Sequence, residues 1–317
     1  MNFNRTKRIT WADIAKGIGI TLVMLGHAPT SLYNALGISS FAQDWIYSFH
    51  MPLFFVISGY LTKWMIPQGQ FALKKAISLL TYFLIYSLIC LFLLSFSDLS
   101  ITRILSHGWG GIALWFIPVL YVSLCIGNLI PIKYIPHSII LLLLFSWGLA
   151  HFNYTTRWAL HCIPYATALI LSGRHLIPTI NKLISLRTSI KLLIISICLI
   201  TITVSSLYYR LDICTNRILP LLPIFISGIL GTLMIILFST ILTRIAYAST
   251  VFTYIGRISL ELLSFHQIIL YFLPVPIVVR LIILAAISLI LASARIRIIK
   301  ASHQQSNKGA SNIPNSG

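Results

Sequence analysis

Ten apolar runs, each close to the length of a membrane-spanning helix, constrain this sequence more than any other feature. A helix needs roughly 20 residues to cross the hydrocarbon core, and a spanning segment must hydrogen-bond its own backbone. The runs are continuous and do not alternate as the strands of a barrel do. We therefore predict an all-α, polytopic integral membrane bundle of about ten transmembrane helices, at residues 11–31, 46–64, 77–96, 112–130, 135–153, 158–176, 190–208, 218–240, 252–272 and 277–294.

The composition excludes the soluble classes, among them dehydrogenases, kinases and most binding modules. Hydrophobic residues make up 58% of the chain and charged residues only 9%, whereas a soluble domain carries about 25% charged residues. A soluble protein of this composition would have too little polar surface to cover itself.

Basic residues predict the orientation in the membrane. Lys and Arg number 23 against 5 acids, a net charge of +18, and the positive residues lie between apolar runs. This is typical of topology determinants, so we expect membrane lipids and not nucleic acid as partners. With the N-terminus inside, 18 basic residues fall on the cytoplasmic side and five outside, which predicts an even number of spans and two cytoplasmic termini; the outer five are Arg103, Arg157, Arg210, Arg217 and Arg280.

The domain organisation is simple. We predict one membrane domain at residues 1–300, standing alone, and a disordered cytoplasmic tail at 301–317 that is rich in Ser, Asn, Gln and Gly. The five cysteines are far apart and form no CxxC pair, so neither a disulfide framework nor a metal site is indicated. The oligomeric state stays open.

Ionisable residues inside the first run are the strongest functional signal, because each is unfavourable in lipid unless paired or hydrated. Lys16 and His27 are 11 residues apart, which places them on one helix face about 16 Å apart. Asp13 lies three residues before Lys16 and can pair with it. The alternative is a snorkelling lysine and a packed histidine.

Two further apolar runs contain polar residues that would need hydrogen-bonding partners inside a membrane. His50 comes shortly before Pro52, where a kink would free carbonyl groups that need partners. In the ninth run, Ser259 and His266 share a face, and Glu261 lies between them. An interfacial His50 and a structural pair between Arg257 and Glu261 are the alternatives.

Two of these segments resemble acyltransferase family 3. They are KGIGITLVMLGH at 16–27 and FHMPLFFVISGY at 49–60. The resemblance extends along most of the chain and is nearest to the branch similar to fucose 4-O-acetylases. Weaker matches lie at 74–75, 114–118, 172–174 and 254–266. The family's first-span pattern is Arg, ten residues, His, and here Lys16 stands at the Arg position.

The resemblance implies a multi-span O-acetyltransferase of the bacterial inner membrane. The acyl donor would be acetyl-CoA from the cytoplasm, and the acceptor a carbohydrate, such as an O-antigen, other lipopolysaccharide or exopolysaccharide sugar, presented from outside or on a lipid carrier. We expect donor phosphates to be held by three lysines, Lys16, Lys74 and Lys75.

Catalytic roles follow from the same resemblance. His27 would be the general base or an acetyl-imidazole relay, with Asp13 fixing Lys16. The sugar could stack on Trp45, Trp109 or Trp115. Candidates for orienting the acceptor or stabilising an oxyanion are His50, His266, Ser259 and Glu261.

The sequence alone leaves three other functions open. A transporter or flippase of a lipid-linked saccharide would also carry intramembrane charges, although no internal repeat is detectable. Three histidines could ligate a b-type haem. A non-enzymatic scaffold explains the buried ionisable groups least well.

Overall fold

The computed structural model describes residues 9–28, 39–94 and 113–267, together with position 33, positions 269 and 270, and isolated positions between 276 and 293. Trp109, most of the tenth predicted run and the tail at 301–317 lie outside the described residues.

Three short 3₁₀ turns occupy Ala113–Trp115, Ile132–Tyr134 and Arg157–Cys162. The α-helices are α1 (Thr10–Gly26), α2 (Phe41–Tyr47), α3 (His50–Leu61), α4 (Gln68–Leu94), α5 (Phe116–Leu129), α6 (Ile135–His151), α7 (Ile163–His175), α8 (Ile177–Ile184), α9 (Thr188–Tyr208), α10 (Leu221–Leu242), α11 (Ala246–Arg257) and α12 (Ser259–Gln267).

The all-helical fold class is confirmed. Helices cover each of the first nine predicted runs, and the described residues contain no strand longer than an isolated bridge. Four helical segments are long and apolar enough to cross a membrane as single helices: Gln68–Leu88, Ile132–His151, Thr188–Tyr208 and Leu221–Leu242. The number of spans and the orientation of the termini stay predictions.

Large apolar side chains point outward along these long helices. On α6 they include Leu141 and Phe145, and on α9 Leu193 and Ile200, each more than half exposed. Such continuous apolar surface is tolerated when lipid covers it. The outer faces of the bundle therefore fit a hydrocarbon surrounding.

The second predicted run is wrong as one continuous helix. It is broken at Ser48 and Phe49, with α2 before the break and α3 after it. Pro52 lies in the first turn of α3, where its missing N–H leaves no intrahelical hydrogen bond unmade. The break is fully buried, since Phe49 has no exposed surface, as expected for irregular backbone at membrane depth.

The ninth predicted run is also divided. Arg257 ends α11, Ile258 departs from helical geometry with φ −110° and ψ 18°, and Ser259 begins α12. Arg257 and Glu261 therefore belong to different helices, in contrast to the single span that the hydropathy predicts.

Glycine residues allow the backbones of neighbouring helices to approach each other closely. A Cβ atom on Gly256 of α11 would overlap the backbone carbonyl of Asp13, and one on Gly17 of α1 would overlap that of Phe252. The two backbones thus touch at a reciprocal pair of small residues, the usual means of tight packing in membranes.

The Ser-Gly-Arg segment at 172–174 has a structural role. Gly173 of α7 packs against the Val56 carbonyl of α3. Buried Arg174 donates from one guanidinium nitrogen to the carbonyls of Gly127 and Ile130, at 2.8 and 2.7 Å. These carbonyls end α5 and have no intrahelical donor, so the arginine satisfies them.

We expect Gly256→Ala to destabilise the protein by about 1–3 kcal/mol, because the new methyl group overpacks a backbone contact. Thermal unfolding of the purified protein in detergent measures this as a lower melting temperature. Gly148→Ala in α6 is the matched control, since nothing lies within 4 Å of its Cβ position. Equal melting temperatures for the two variants would contradict the packing role of Gly256.

Candidate active site

His27 lies at the end of α1 and not within a longer helix as predicted. The helix stops at Gly26, and His27 is its C-cap. Two side chains complete this end: Tyr33 donates to the Leu25 carbonyl at 2.6 Å and Gln43 to the Gly26 carbonyl at 2.7 Å. The imidazole is therefore presented from a terminus whose carbonyls have partners.

His27 and His266 form the central contact of the site. Nδ1 of His27 is 2.9 Å from Nε2 of His266, and the ring centroids are 5.1 Å apart in a nearly parallel arrangement. Nδ1 of His266 lies 3.1 and 2.8 Å from the carbonyls of Leu262 and Leu263 in its own helix. His266 has no exposed surface, whereas His27 is half-buried.

His50 completes a cluster of three histidines. Its ring centroid is 5.8 Å from that of His27, edge to face. Its Nδ1 is 3.0 Å from the carbonyl of Ile46, across the break between α2 and α3. Pro52 itself frees no carbonyl in the first turn of α3, in contrast to the prediction; His50 instead contacts the Ile46 carbonyl at the end of α2, which also accepts from the Phe49 N–H.

A cavity of about 630 Å³ opens beside this cluster. We call it the histidine cavity. Its volume is in the range of small-molecule sites, about 300–1,000 Å³. The described residues that line it are His27, Tyr47, His50, Met51, Ala113, Trp115, Leu211, Asp212, Ile213, Cys214, Thr215, Leu263 and Gln267.

The loop between α9 and α10 forms one wall of the histidine cavity and is held in place from outside. His161 lies 3.0 Å from the Cys214 carbonyl through Nε2, and Cys162 donates from its thiol to the Ile213 carbonyl. Arg210 pairs with Asp44 at 3.1 Å and stacks over the Tyr47 ring. The wall is thereby fixed to the segments around α2 and α7.

Burial, and secondly the charge of Asp212, raises the pKa of the Cys214 thiol to about 12. The thiol stays protonated near neutral pH and is a poor nucleophile. Although Cys214 lines the histidine cavity, an acyl-cysteine intermediate is therefore disfavoured.

A second, smaller cavity of about 230 Å³ lies beside Lys16 of α1. We call it the lysine cavity. Lys75 donates to Thr62 at 3.2 Å within it. The described lining residues are Lys16, Phe54, Ile57, Ser58, Leu61, Thr62, Lys75, Ser78, Leu79, Leu120 and Leu124.

The predicted pair between Asp13 and Lys16 is present, with 2.8 Å between Oδ1 and Nζ. The other carboxylate oxygen of Asp13 is 4.0 Å from Nε of Arg257 on α11. Asp13 is buried and lies between two cations, which adds an electrostatic contact where α1 and α11 cross.

The remaining predicted residues divide between the cavities and their surroundings. Ser259 and Glu261 belong to the same helix as His266 but are not among the residues lining either cavity. Lys74 is exposed beside the lysine cavity and does not line it. Trp45 donates to Thr203 at 3.2 Å outside the histidine cavity.

Several cavity residues gave little signal in the sequence. Tyr47 lies three positions before His50, and Gln267 directly follows His266. Proximity to these predicted histidines could have identified both residues. Asp212 belongs to a short polar loop, where hydropathy and spacing carry no information about a site.

Comparisons with known proteins identify the family of the chain. The acyltransferase 3 family, described as an acyltransferase domain, matches residues 9–294. Nodulation protein NolL of Mesorhizobium japonicum is 46% identical over 63 residues, which are 19% of this chain and 17% of that protein. The chain thus matches less than a fifth of the length of this curated relative. No solved structure matches the chain.

The family match covers α1 with its lysine and histidine, the histidine of α3 and the histidine of α12. The resemblance predicted from the motifs at 16–27 and 49–60 is confirmed. The chain belongs to acyltransferase family 3.

Proposed function

We propose that the protein transfers an acetyl group from cytoplasmic acetyl-CoA to a hydroxyl of a cell-surface sugar, in the bacterial inner membrane. The observation that carries the proposal is a pair of cavities beside α1, one lined by Lys16 and the other by His27, 11 positions further along the chain. Such an arrangement would let donor and acceptor enter from opposite sides of a membrane.

Both cavities have lining residues on α3. Met51 lines the histidine cavity and Phe54 lines the lysine cavity. These residues are three positions apart, about one helical turn or 5 Å along the axis. The extended pantetheine arm of coenzyme A could bring a thioester from the lysine cavity toward the histidines along this helix.

Lysines at the cytoplasmic end would hold the phosphates of the donor. Lys16 and Lys75 face the lysine cavity as point charges. Lys74 lies outside it and would attract the donor at longer range, within the roughly 8 Å that physiological salt permits. The apolar remainder of the lining suits the uncharged part of the donor.

His27 would act as the general base. It removes the proton from the sugar hydroxyl while that oxygen attacks the thioester carbonyl carbon. The tetrahedral intermediate then expels the coenzyme A thiolate, which takes the proton back from the imidazolium. The products are an acetyl ester and free coenzyme A.

Other polar groups in the histidine cavity would position the acceptor. Nδ1 of His50 faces a backbone carbonyl, so its Nε2 is an acceptor for a sugar hydroxyl when the ring is neutral. The Tyr47 hydroxyl and the Gln267 amide are donors that could stabilise the oxyanion. Trp115 offers a ring on which a sugar could stack.

Two alternatives make different predictions. A flippase would move a lipid-linked saccharide without consuming acetyl-CoA. A haem held by two axial histidines has them on opposite faces of the porphyrin, whereas His27 and His266 contact each other directly. The geometry of the cluster therefore favours proton transfer over haem ligation.

Acetyl transfer distinguishes the enzyme from the flippase. Inverted membrane vesicles containing the protein would receive acetyl-CoA labelled in its acetyl group, and label in the surface polysaccharide would be measured after extraction. Mass spectrometry of polysaccharide from cells with and without the gene would identify the sugar. A polysaccharide whose transport depends on the protein, but which gains no label, would support the flippase.

His27→Ala should abolish acetyl transfer, with a loss of at least about 10²-fold in kcat because a general base is removed. The measurement is labelled product at equal protein levels in the membrane. His137→Ala is the control, since His137 is exposed on α6 and should retain activity. Full activity of His27→Ala would contradict the assignment.

Lys16→Arg should retain activity because the positive charge is kept, whereas Lys16→Ala should lose it.

Lys75→Ala should raise the KM for acetyl-CoA on the order of tenfold, the effect of losing roughly 1.4 kcal/mol of a charge-assisted contact. Lys74→Ala is the matched control, with a smaller expected rise. A larger effect at Lys74 than at Lys75 would place the donor outside the lysine cavity.

Trp115→Ala should raise the KM for the acceptor about two- to tenfold, since an aromatic contact contributes about 0.5–1.5 kcal/mol. The KM for acetyl-CoA should not change, because Trp115 lines only the histidine cavity. Trp147→Ala on α6 serves as control, as this side chain is 46% exposed and lies outside the cavity. Steady-state kinetics with one substrate varied at a time would measure both constants.

A further inference from the structure

The hydrogen bonds around His266 determine which of its nitrogens carries hydrogen. Carbonyl oxygens only accept hydrogen bonds, and Nδ1 of His266 lies 3.1 and 2.8 Å from the carbonyls of Leu262 and Leu263. Nδ1 must therefore be the protonated nitrogen. In the neutral ring, Nε2 then bears the lone pair and can only accept.

The same reasoning extends to His27. Its Nδ1 is 2.9 Å from Nε2 of His266. Because that nitrogen accepts, Nδ1 of His27 must donate, and the lone pair of the neutral His27 ring lies on Nε2. Two backbone carbonyls of α12 thus determine, through one intervening imidazole, the tautomer of a histidine 239 positions away in the chain.

We infer that His266 is a positioning residue that holds His27 in the tautomer whose Nε2 can accept the proton of the acceptor hydroxyl. This inference rests on the proposed function of His27 as general base. It differs from the sequence-based expectation that His266 orients the sugar or stabilises an oxyanion. The other ring nitrogen of a functional histidine is often fixed by such a partner.

The contact also favours the proton transfer itself. When His27 becomes an imidazolium, Nδ1 donates to the lone pair of a neutral ring, whose own N–H points at the backbone carbonyls of Leu262 and Leu263. Because carbonyl oxygens carry a partial negative charge, this chain of contacts stabilises the charged ring.

Two substitutions at position 266 separate positioning from packing. His266→Leu introduces an apolar side chain of moderate size, which fills the site but cannot accept a hydrogen bond. His266→Gln can place an amide oxygen near the former Nε2. We expect kcat to fall about 10²-fold in the leucine variant, with KM values for both substrates unchanged, and to recover to within about tenfold of wild type in the glutamine variant.

Phe265→Leu is the neighbouring control. Its ring packs edge to face against Tyr86 at 4.7 Å and takes no part in the histidine contact, so kcat should be retained. Unchanged kcat in His266→Leu would overturn the inference. Equal losses in the leucine and glutamine variants would also overturn it, since that result indicates steric packing only.

A spectroscopic measurement tests the tautomer without relying on activity. In wild-type protein labelled with ¹⁵N-histidine, the ring-nitrogen shifts of His27, assigned by difference from His27→Asn, should show Nδ1 protonated and Nε2 unprotonated. The opposite pattern would overturn the inference. If the predicted tautomer is found but no acetyl transfer occurs, the proposed function fails while the positioning contact stands.

Discussion

The backbone contact between α1 and α11 is the constraint on which the site depends. Gly17 and Gly256 remove the side chains that would otherwise separate the two helices. Asp13, between Lys16 and Arg257, adds charge pairing at the same crossing. Because α12 follows α11 after a single non-helical residue, the crossing also fixes where His266 lies relative to the end of α1. A bulkier residue at the crossing would thus act on the histidines from several turns away.

Backbone carbonyls orient two rings of the histidine cluster. The Ile46 carbonyl, which also accepts from the Phe49 N–H, contacts Nδ1 of His50, and the carbonyls of Leu262 and Leu263 within α12 receive the N–H of His266. In both cases a side chain that satisfies the backbone is simultaneously oriented by it. In His266, the ring nitrogen left over lies 2.9 Å from Nδ1 of His27. Structural hydrogen bonds thereby prepare the rings for proton transfer.

Local features of this site could be predicted from the sequence, and contacts between distant segments could not. The pair of Asp13 and Lys16 follows from their spacing on one helix and is present. Hydropathy located the first nine runs but missed the breaks at Phe49 and Ile258, because both residues are apolar and buried like their neighbours. The contact of His27 with His266 depends on how α1 packs against α11 and α12. The loop wall with Asp212 depends on anchoring by His161 and Cys162, which no single-segment pattern encodes.

The charge balance at the lysine cavity explains how Lys16 could bind an anion while it is paired. Asp13 approaches two cations, Lys16 and Arg257, and Lys75 adds a third nearby. Lys75 lines the same cavity as Lys16 and adds positive charge there, which attracts phosphate. Asp13 would then orient the ammonium group without cancelling the local field. On this account charge and placement matter more at position 16 than the planar fork of an arginine, since the guanidinium of Arg257 is already close to the same carboxylate.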